Sequence, residues 1–337
     1  MKKYLILFMA SMIALVLTAC NSDKDQATNS EKETAANAIN VYTTVYPLQY
    51  FTERIGGEFV NVQSIYPPGA NEHTFEPTQK DMMALADSDL FFYVGLGLEG
   101  FVEKAKTTLA NEHVKLVATA DNVSEDKLHI STGHTHAEEA KEDEHNHEHE
   151  DEDHGHQEDG DHHEEFDSHV WLSPVISQDL ALVIKDELIA ALPQQEELFT
   201  ANYEALIEEL QALHEDFEAM ATTTSSKTFF VSHAAFGYVA GHYGLSQVPV
   251  AGLNSQSEPS QKDLTKIVDL AKKESIEYIF FEQNVSSNLT TIIQNEVGAK
   301  SLILHNLSVL TPEDIKNKET YFTLMKKNMD NLKTALQ

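Results

Sequence analysis

Residues Leu198 to Met220 read LFTANYEALIEELQALHEDFEAM. Apolar side chains recur through this stretch at helical spacing, and from Glu196 onward it contains no breaker. At 1.5 Å per residue such a helix spans roughly 35 Å, enough to cross a small domain. Pro193 separates it from an earlier helical stretch, which Ser173-Pro174 opens and which runs to about Leu192. On both sides of this helical centre the pattern changes.

Upstream, Ile39–Val45 (INVYTTV), Val60–Tyr66, Leu90–Val94 (LFFYV) and Val114–Ala118 have the composition of buried strands. Leu48–Ile55, Thr78–Ala86 and Glu99–Leu109 fill the intervals as helices, with Thr78 placed as an N-cap. Downstream, Thr228–Val231, Gln247–Val250, Tyr278–Phe281 and Leu302–Leu304 are strands, with helices between them and one near the C-terminus. Alternation at this short spacing predicts βα units and largely parallel sheets. The expected fold is α/β: two βα lobes linked by one long backbone helix. The boundaries read as 39–177 for the first lobe, 178–222 for the helical linker and 223–337 for the second lobe. No sequence repeat links the lobes.

The first residues are not part of that pattern. Lys2 and Lys3 precede a mostly apolar run from Tyr4 to Leu17, which closes on Leu17-Thr18-Ala19-Cys20. A charged start, an apolar stretch shorter than the ~20 residues of a membrane span and a small-residue cleavage site predict a signal peptide over 1–19. The ending resembles a bacterial lipoprotein signal, in which Cys20 becomes the lipidated first residue. Residues 20–38 then form a flexible tether, since Asn21–Asn37 carries no bulky apolar side chain. The expected location is the outer face of the bacterial cell membrane. Cys20 is the only cysteine of the chain, so neither an intrachain disulfide nor a thiolate metal cluster is available.

The formal net charge is −32 over 337 residues, which disfavours nucleic acid and favours cations as partners. Much of it lies in residues 133–165, GHTHAEEAKEDEHNHEHEDEDHGHQEDGDHHEE, a low-complexity segment expected to be a disordered loop. Its nine histidines (His134, His136, His145, His147, His149, His154, His156, His162 and His163) are candidate accessory metal ligands in many alternative groupings. Sites of that kind bear an ordering cost that a preformed cleft avoids.

Elsewhere, His73 follows the strand ending near Tyr66, His169 stands where the acidic loop rejoins structure, and His233 follows the strand Thr-Phe-Phe-Val. Glu282 directly follows Tyr-Ile-Phe-Phe. Open α/β sheets bind ligands beyond the carboxyl ends of their strands. Three imidazoles and a carboxylate complete a four-coordinate zinc shell with no open position for a catalytic water. Spacings of 96, 64 and 49 positions form no compact motif, and a lone histidine is more often a surface or hydrogen-bonded residue. His113, His129, His214, His242 and His305 keep that ordinary reading.

The segments around the candidates resemble a known family. Asn-Glu-His-Thr-Phe-Glu-Pro-Thr, Asp-Ser-His-Val-Trp-Leu-Ser-Pro and Val-Ser-His-Ala-Ala-Phe-Gly-Tyr look like the three histidine motifs of the zinc-binding proteins of ABC transporters, the metal-binding cluster A-I or cluster 9 family. Gly-Leu-Gly-Leu-Glu at 95–99, Ser-Glu-Pro-Ser at 257–260 and the histidine-rich insertion resemble further family segments. The resemblance implies two α/β lobes with one Zn2+ in the cleft, His73 and His169 from the first lobe, and His233 and Glu282 from the second. It also implies a monomer that delivers zinc to an ABC transporter permease and catalyses no reaction. Water is the alternative fourth ligand. A manganese-preferring binder of the same fold is the rival reading, although such relatives usually have a carboxylate where this chain has His233. An adhesin role would be additional, and a zinc hydrolase would need an open metal position and a general base, with no HExxH pair present. Gly95–Gly100 with Asp121 imitates a dinucleotide fingerprint, but an exported protein meets little such cofactor.

Overall fold

The computed structural model describes residues 38–131, 166–254, 259–283 and 287–337. Cys20, the signal peptide, the tether up to residue 37 and all nine loop histidines lie outside the described residues.

The chain begins as β1 (Ile39–Thr43), α1 (Tyr46–Gly56), β2 (Val60–Ser64), α2 (Gln79–Ala86), β3 (Leu90–Tyr93), α3 (Val102–Thr108), β4 (Lys115–Ala118) and α4 (Glu125–Leu128). Two long helices follow, α5 (Pro174–Ala191) and α6 (Glu196–Thr223). The second run is β5 (Thr228–His233), α7 (Gly237–His242), β6 (Ser246–Ala251), α8 (Gln261–Lys273), β7 (Tyr278–Phe281), α9 (Asn288–Val297), β8 (Lys300–Ile303), α10 (Pro312–Asn317) and α11 (Tyr321–Leu336).

Each run builds a four-stranded sheet, in the orders β2-β1-β3-β4 and β6-β5-β7-β8, and every pairing is parallel. In both, the winding direction reverses between the two central strands. That reversal opens a crevice at the strands' carboxyl ends, between β1 and β3 in one lobe and β5 and β7 in the other. The central strands are apolar because both faces are covered: all four residues of β3 (Leu-Phe-Phe-Tyr) are buried. Two sheets with the same order arise from halves with no visible sequence repeat.

Local signals set the element ends. Thr78 and Asp81 form a reciprocal capping box at α2, and Ser173 accepts the Ile176 amide ahead of Pro174 to open α5. Pro193 begins a short 3-10 turn, after which α6 runs to Thr223. Its buried stripe, Phe199, Leu206, Leu210, Leu213, Phe217, Met220, is the helical periodicity read from the sequence. This stripe belongs to one apolar core that joins the first sheet, α5, α6, α11 and part of the second sheet, with Trp171 and Tyr321 fully buried in it. A smaller core, including Phe230, Ile267 and Ile293, lies under α8 and α9.

One helix starts later than its sequence suggests. Gly95, Leu96 and Gly97 all have positive φ (91°, 52° and 78°), so the chain turns sharply after β3 and α3 begins only at Val102. The buried Glu99 carboxylate folds back into this turn, accepting the Val94 and Gly95 amides at 2.8 and 3.0 Å and the Thr44 hydroxyl at 2.8 Å. The glycine-rich turn thus closes on an internal carboxylate. Among the described residues, no helix is long and apolar enough to cross a membrane.

Candidate metal centre

Each of the three histidines is delivered by a different local device. His73 lies in the loop after β2, where Asn71 Oδ1 accepts its backbone N–H at 3.0 Å. His169 opens a 3-10 turn (Val170–Leu172), and Asp167 accepts both its backbone N–H at 2.9 Å and its Nδ1–H at 2.8 Å. Ser131 in turn donates to the other Asp167 oxygen. His233 is the last residue of β5, at the winding reversal of the second sheet. Its Nδ1–H points at Glu282 Oε1, 2.6 Å away, and the same oxygen accepts the Ser232 hydroxyl at 2.7 Å.

These contacts fix which nitrogen is free in two of the three rings, His169 and His233. A neutral imidazole has one N–H. With Nδ1–H spent on a carboxylate in His169 and His233, each Nε2 is left as a lone pair. The Nε2 atoms converge: His73 to His169 is 3.2 Å, and His233 to His169 is 3.2 Å. Lone pairs at that distance repel unless a positive charge sits among them. Tetrahedral zinc bonds of about 2.0–2.1 Å put neighbouring donor atoms roughly 3.3 Å apart, close to the spacing found.

The fourth donor in reach is Glu72. One donor atom each from Glu72, His73, His169 and His233 lies within 4.8 Å of the others. Glu72 is 2% exposed, and its Oε2 has no hydrogen-bond partner among the described residues. A buried, unpartnered carboxylate oxygen costs free energy unless a cation meets it. Glu282, the carboxylate expected in the shell from the sequence, instead holds the opposite nitrogen of the His233 ring.

The electrostatics differ from ring to ring. Burial, and then the neighbouring His169 and His233, pull His73 down to about 2, so its ring is neutral and ready to donate a lone pair. Burial alone would lower His233 too, but the charge and hydrogen bond of Glu282 outweigh it and raise the ring above its usual value. Asp167 and Glu282 are opposed by burial yet held below the ordinary carboxylate range, chiefly by their histidine partners. Glu72, Asp167 and Glu282 are therefore three buried carboxylates around three imidazoles, and no lysine or arginine is ion-paired with them among the described residues. Buried negative charge of this kind is compensated by a bound cation.

The ordinary histidines have ordinary partners. His305 pairs with Asp314 at 3.1 Å, His242 meets Ser173 and the Tyr238 carbonyl, and His214 meets the Tyr243 hydroxyl. Glu72 and Asp167 are not among the residues expected from the sequence, although both stand inside the histidine motifs. Their signal was adjacency to His73 and His169. Asn306, which donates to both Glu72 and Glu282, carried no signal of its own.

Two parallel-sheet lobes with a carboxylate-backed imidazole centre between them define a class, the two-lobed metal-binding proteins. The family profile of the zinc-uptake complex component A, periplasmic (ZnuA), matches residues 41–335, and the chain belongs to that family. It is 37% identical over 331 residues to the zinc-binding lipoprotein AdcA of Streptococcus pneumoniae, covering 98% of this chain but 60% of that protein's length. The high-affinity zinc uptake system protein ZnuA of Bacillus subtilis is 33% identical, over 99% of this chain and 98% of its own. Among solved structures, the Zn(II)-bound ZnuA-like domain of Streptococcus pneumoniae AdcA superposes with a TM-score of 0.69 at 33% identity, covering 89% of this chain and 99% of that one.

Proposed function

We propose that this protein captures Zn2+ outside the cell and hands it to the permease of an ABC importer. The observation that carries the reading is the convergence of three Nε2 atoms, with that of His169 3.2 Å from those of both His73 and His233, and two of the rings oriented by buried carboxylates. Three nitrogens and one oxygen suit zinc, whereas manganese prefers oxygen-rich shells. With Glu72 as fourth ligand the shell is closed, leaving no position for a catalytic water and no enzymatic role. Relatives described as zinc-binding and as zinc-uptake proteins support the same cargo.

Capture and release follow from how the donors divide. Glu72, His73 and His169 precede α5, while His233 and its partner Glu282 follow α6. Bringing the lobes together assembles the shell, and separating them removes donors from the cargo. Docking on a permease would favour the separated state and so release zinc. The signal sequence and Cys20 place the protein on the outer face of the membrane in this account, anchored by lipid. The histidines of residues 133–165 would add weaker, accessory zinc binding.

Chelator competition tests the assignment. His73→Ala, His169→Ala and His233→Ala should each weaken zinc binding by more than about a hundredfold, beyond the range typical of outer partners. Manganese should compete poorly. Unchanged affinity after removing any two of these histidines would sink the reading, and tighter manganese than zinc binding would redirect it to the rival cargo.

A further inference from the structure

Asn306 lies in the loop after β8 and is fully buried. Its Nδ2 donates to Glu72 Oε1 at 3.1 Å and to Glu282 Oε2 at 3.0 Å. One amide nitrogen thus joins carboxylates from opposite lobes, 234 and 24 residues away in sequence. The orientation of the amide is fixed by its other end. Oδ1 accepts from Gln283 Nε2 at 2.7 Å, from the Ser308 amide at 3.1 Å and from the Ser308 hydroxyl at 2.9 Å. Flipping the group would put oxygen against two carboxylates and nitrogen against three donors.

The backbone around Asn306 is equally committed. Its carbonyl accepts the Trp171 indole N–H at 2.7 Å, and Trp171 packs beside the His169 ring with centroids 5.4 Å apart. The Ser308 carbonyl accepts the Tyr46 amide at the start of α1. Between them Leu307, wholly buried, is held at φ +58°, a left-handed conformation that leucine avoids without support. His305 Nδ1 accepts the Leu307 amide at 2.9 Å and supplies part of that support. Backbone strain kept in place by so many bonds is characteristic of functional sites.

We infer that Asn306 is a positioning residue of the metal centre: its two amide hydrogens hold one carboxylate from each lobe. On the first, it binds Oε1 of Glu72 and so leaves Oε2 facing the imidazoles. On the second, it binds Oε2 of Glu282 and so keeps Oε1 on His233 Nδ1. One side chain thus contacts a carboxylate from each lobe. This rests on the reading of Glu72, His73, His169 and His233 as the zinc donors.

The test compares Asn306→Ser and Asn306→Asp with the unmodified chain, using full-length protein whose fold is verified by circular dichroism. Zinc affinity is measured by chelator competition, and the visible absorption of the Co2+-loaded protein reports the shape of the ligand shell. Asn306→Ser removes the bridging donor without adding charge, and should weaken zinc binding about 10–100-fold and shift the Co2+ bands. Asn306→Asp sets a third carboxylate against the other two and should weaken it further. If the Asp variant does not fold, the Ser variant decides. A folded Asn306→Ser protein with zinc affinity within about threefold of the unmodified chain and an unchanged Co2+ spectrum overturns the inference, because a merely structural loop residue would behave that way. His169→Ala is the control. If it binds zinc as tightly as the unmodified chain, the site reading fails and this inference with it. If it loses zinc while Asn306→Ser does not, the inference alone fails.

Discussion

At the scale of single residues, two of the three clustered imidazoles have their Nδ1 committed to a carboxylate. His169 and His233 spend Nδ1–H on buried carboxylates and present Nε2 to the cleft. Glu282→Gln should therefore weaken zinc without removing a ligand, by about 10–100-fold, because the negative charge behind His233 Nδ1–H is lost. Glu72→Gln should cost at least as much, since it removes the one charged donor in the cluster. Parallel chelator titrations of the two variants check this. A larger loss for Glu282→Gln than for Glu72→Gln would mean that the carboxylates have their roles reversed. The three histidines were legible in the sequence because each sits at a strand end or loop junction within a motif. The carboxylate roles were not, because they depend on which face of an imidazole a side chain reaches. Glu282 follows an apolar strand just as a ligand would, and only geometry distinguishes the two nitrogens of His233.

At the scale of elements, two packing details carry tests. A Cβ on Gly241, in α7, would lie 1.8 Å from the Ile130 carbonyl oxygen, a backbone atom with little freedom to move. Gly241→Ala should destabilise the fold by at least about 1–3 kcal/mol, read from chemical unfolding. Asp314 closes the capping box of α10 and accepts from His305. Burial opposes its charged form, but the bonds from His305 and Thr311 hold its pKa well below the ordinary 3.8. A depressed folded-state pKa contributes stability that is present above the unfolded value and lost as pH falls through the folded one. Asp314→Ala should thus cost about 1 kcal/mol near neutral pH. The difference from the unmodified chain should narrow below pH 3.8, measured by urea unfolding across that range. A gap that stays constant with pH would remove the carboxylate's charge from the explanation.

The long helix was the most legible element, because an unbroken apolar stripe leaves few alternatives, and Pro193 marked its start. The turn after β3 was less so. Glycines at 95 and 97 announce a tight turn, yet the sequence does not say that Glu99 would fill it and delay α3. Strand β5 likewise extends to His233 itself, beyond the apolar run that marks it in sequence.

At the scale of the whole molecule, zinc bound by donors from both lobes should link them. A ligand that binds only the folded state adds stability by mass action, about 4 kcal/mol at a free concentration a thousandfold above its Kd. Saturating zinc should raise the unfolding temperature of the unmodified chain, and the His169→Ala protein should show little of that rise. The two-lobed plan itself could be read from alternating strands and helices on each side of α6. The identical winding of the two sheets could not, since strand order depends on crossovers that no local pattern encodes.

The central claim is that zinc is held between the lobes by His73, His169 and His233. X-ray absorption at the zinc edge, on protein loaded with one equivalent, addresses it most directly. Three imidazole nitrogens and one carboxylate oxygen at about 2.0–2.1 Å are expected. A first shell with two or fewer imidazoles, completed by water, would contradict it.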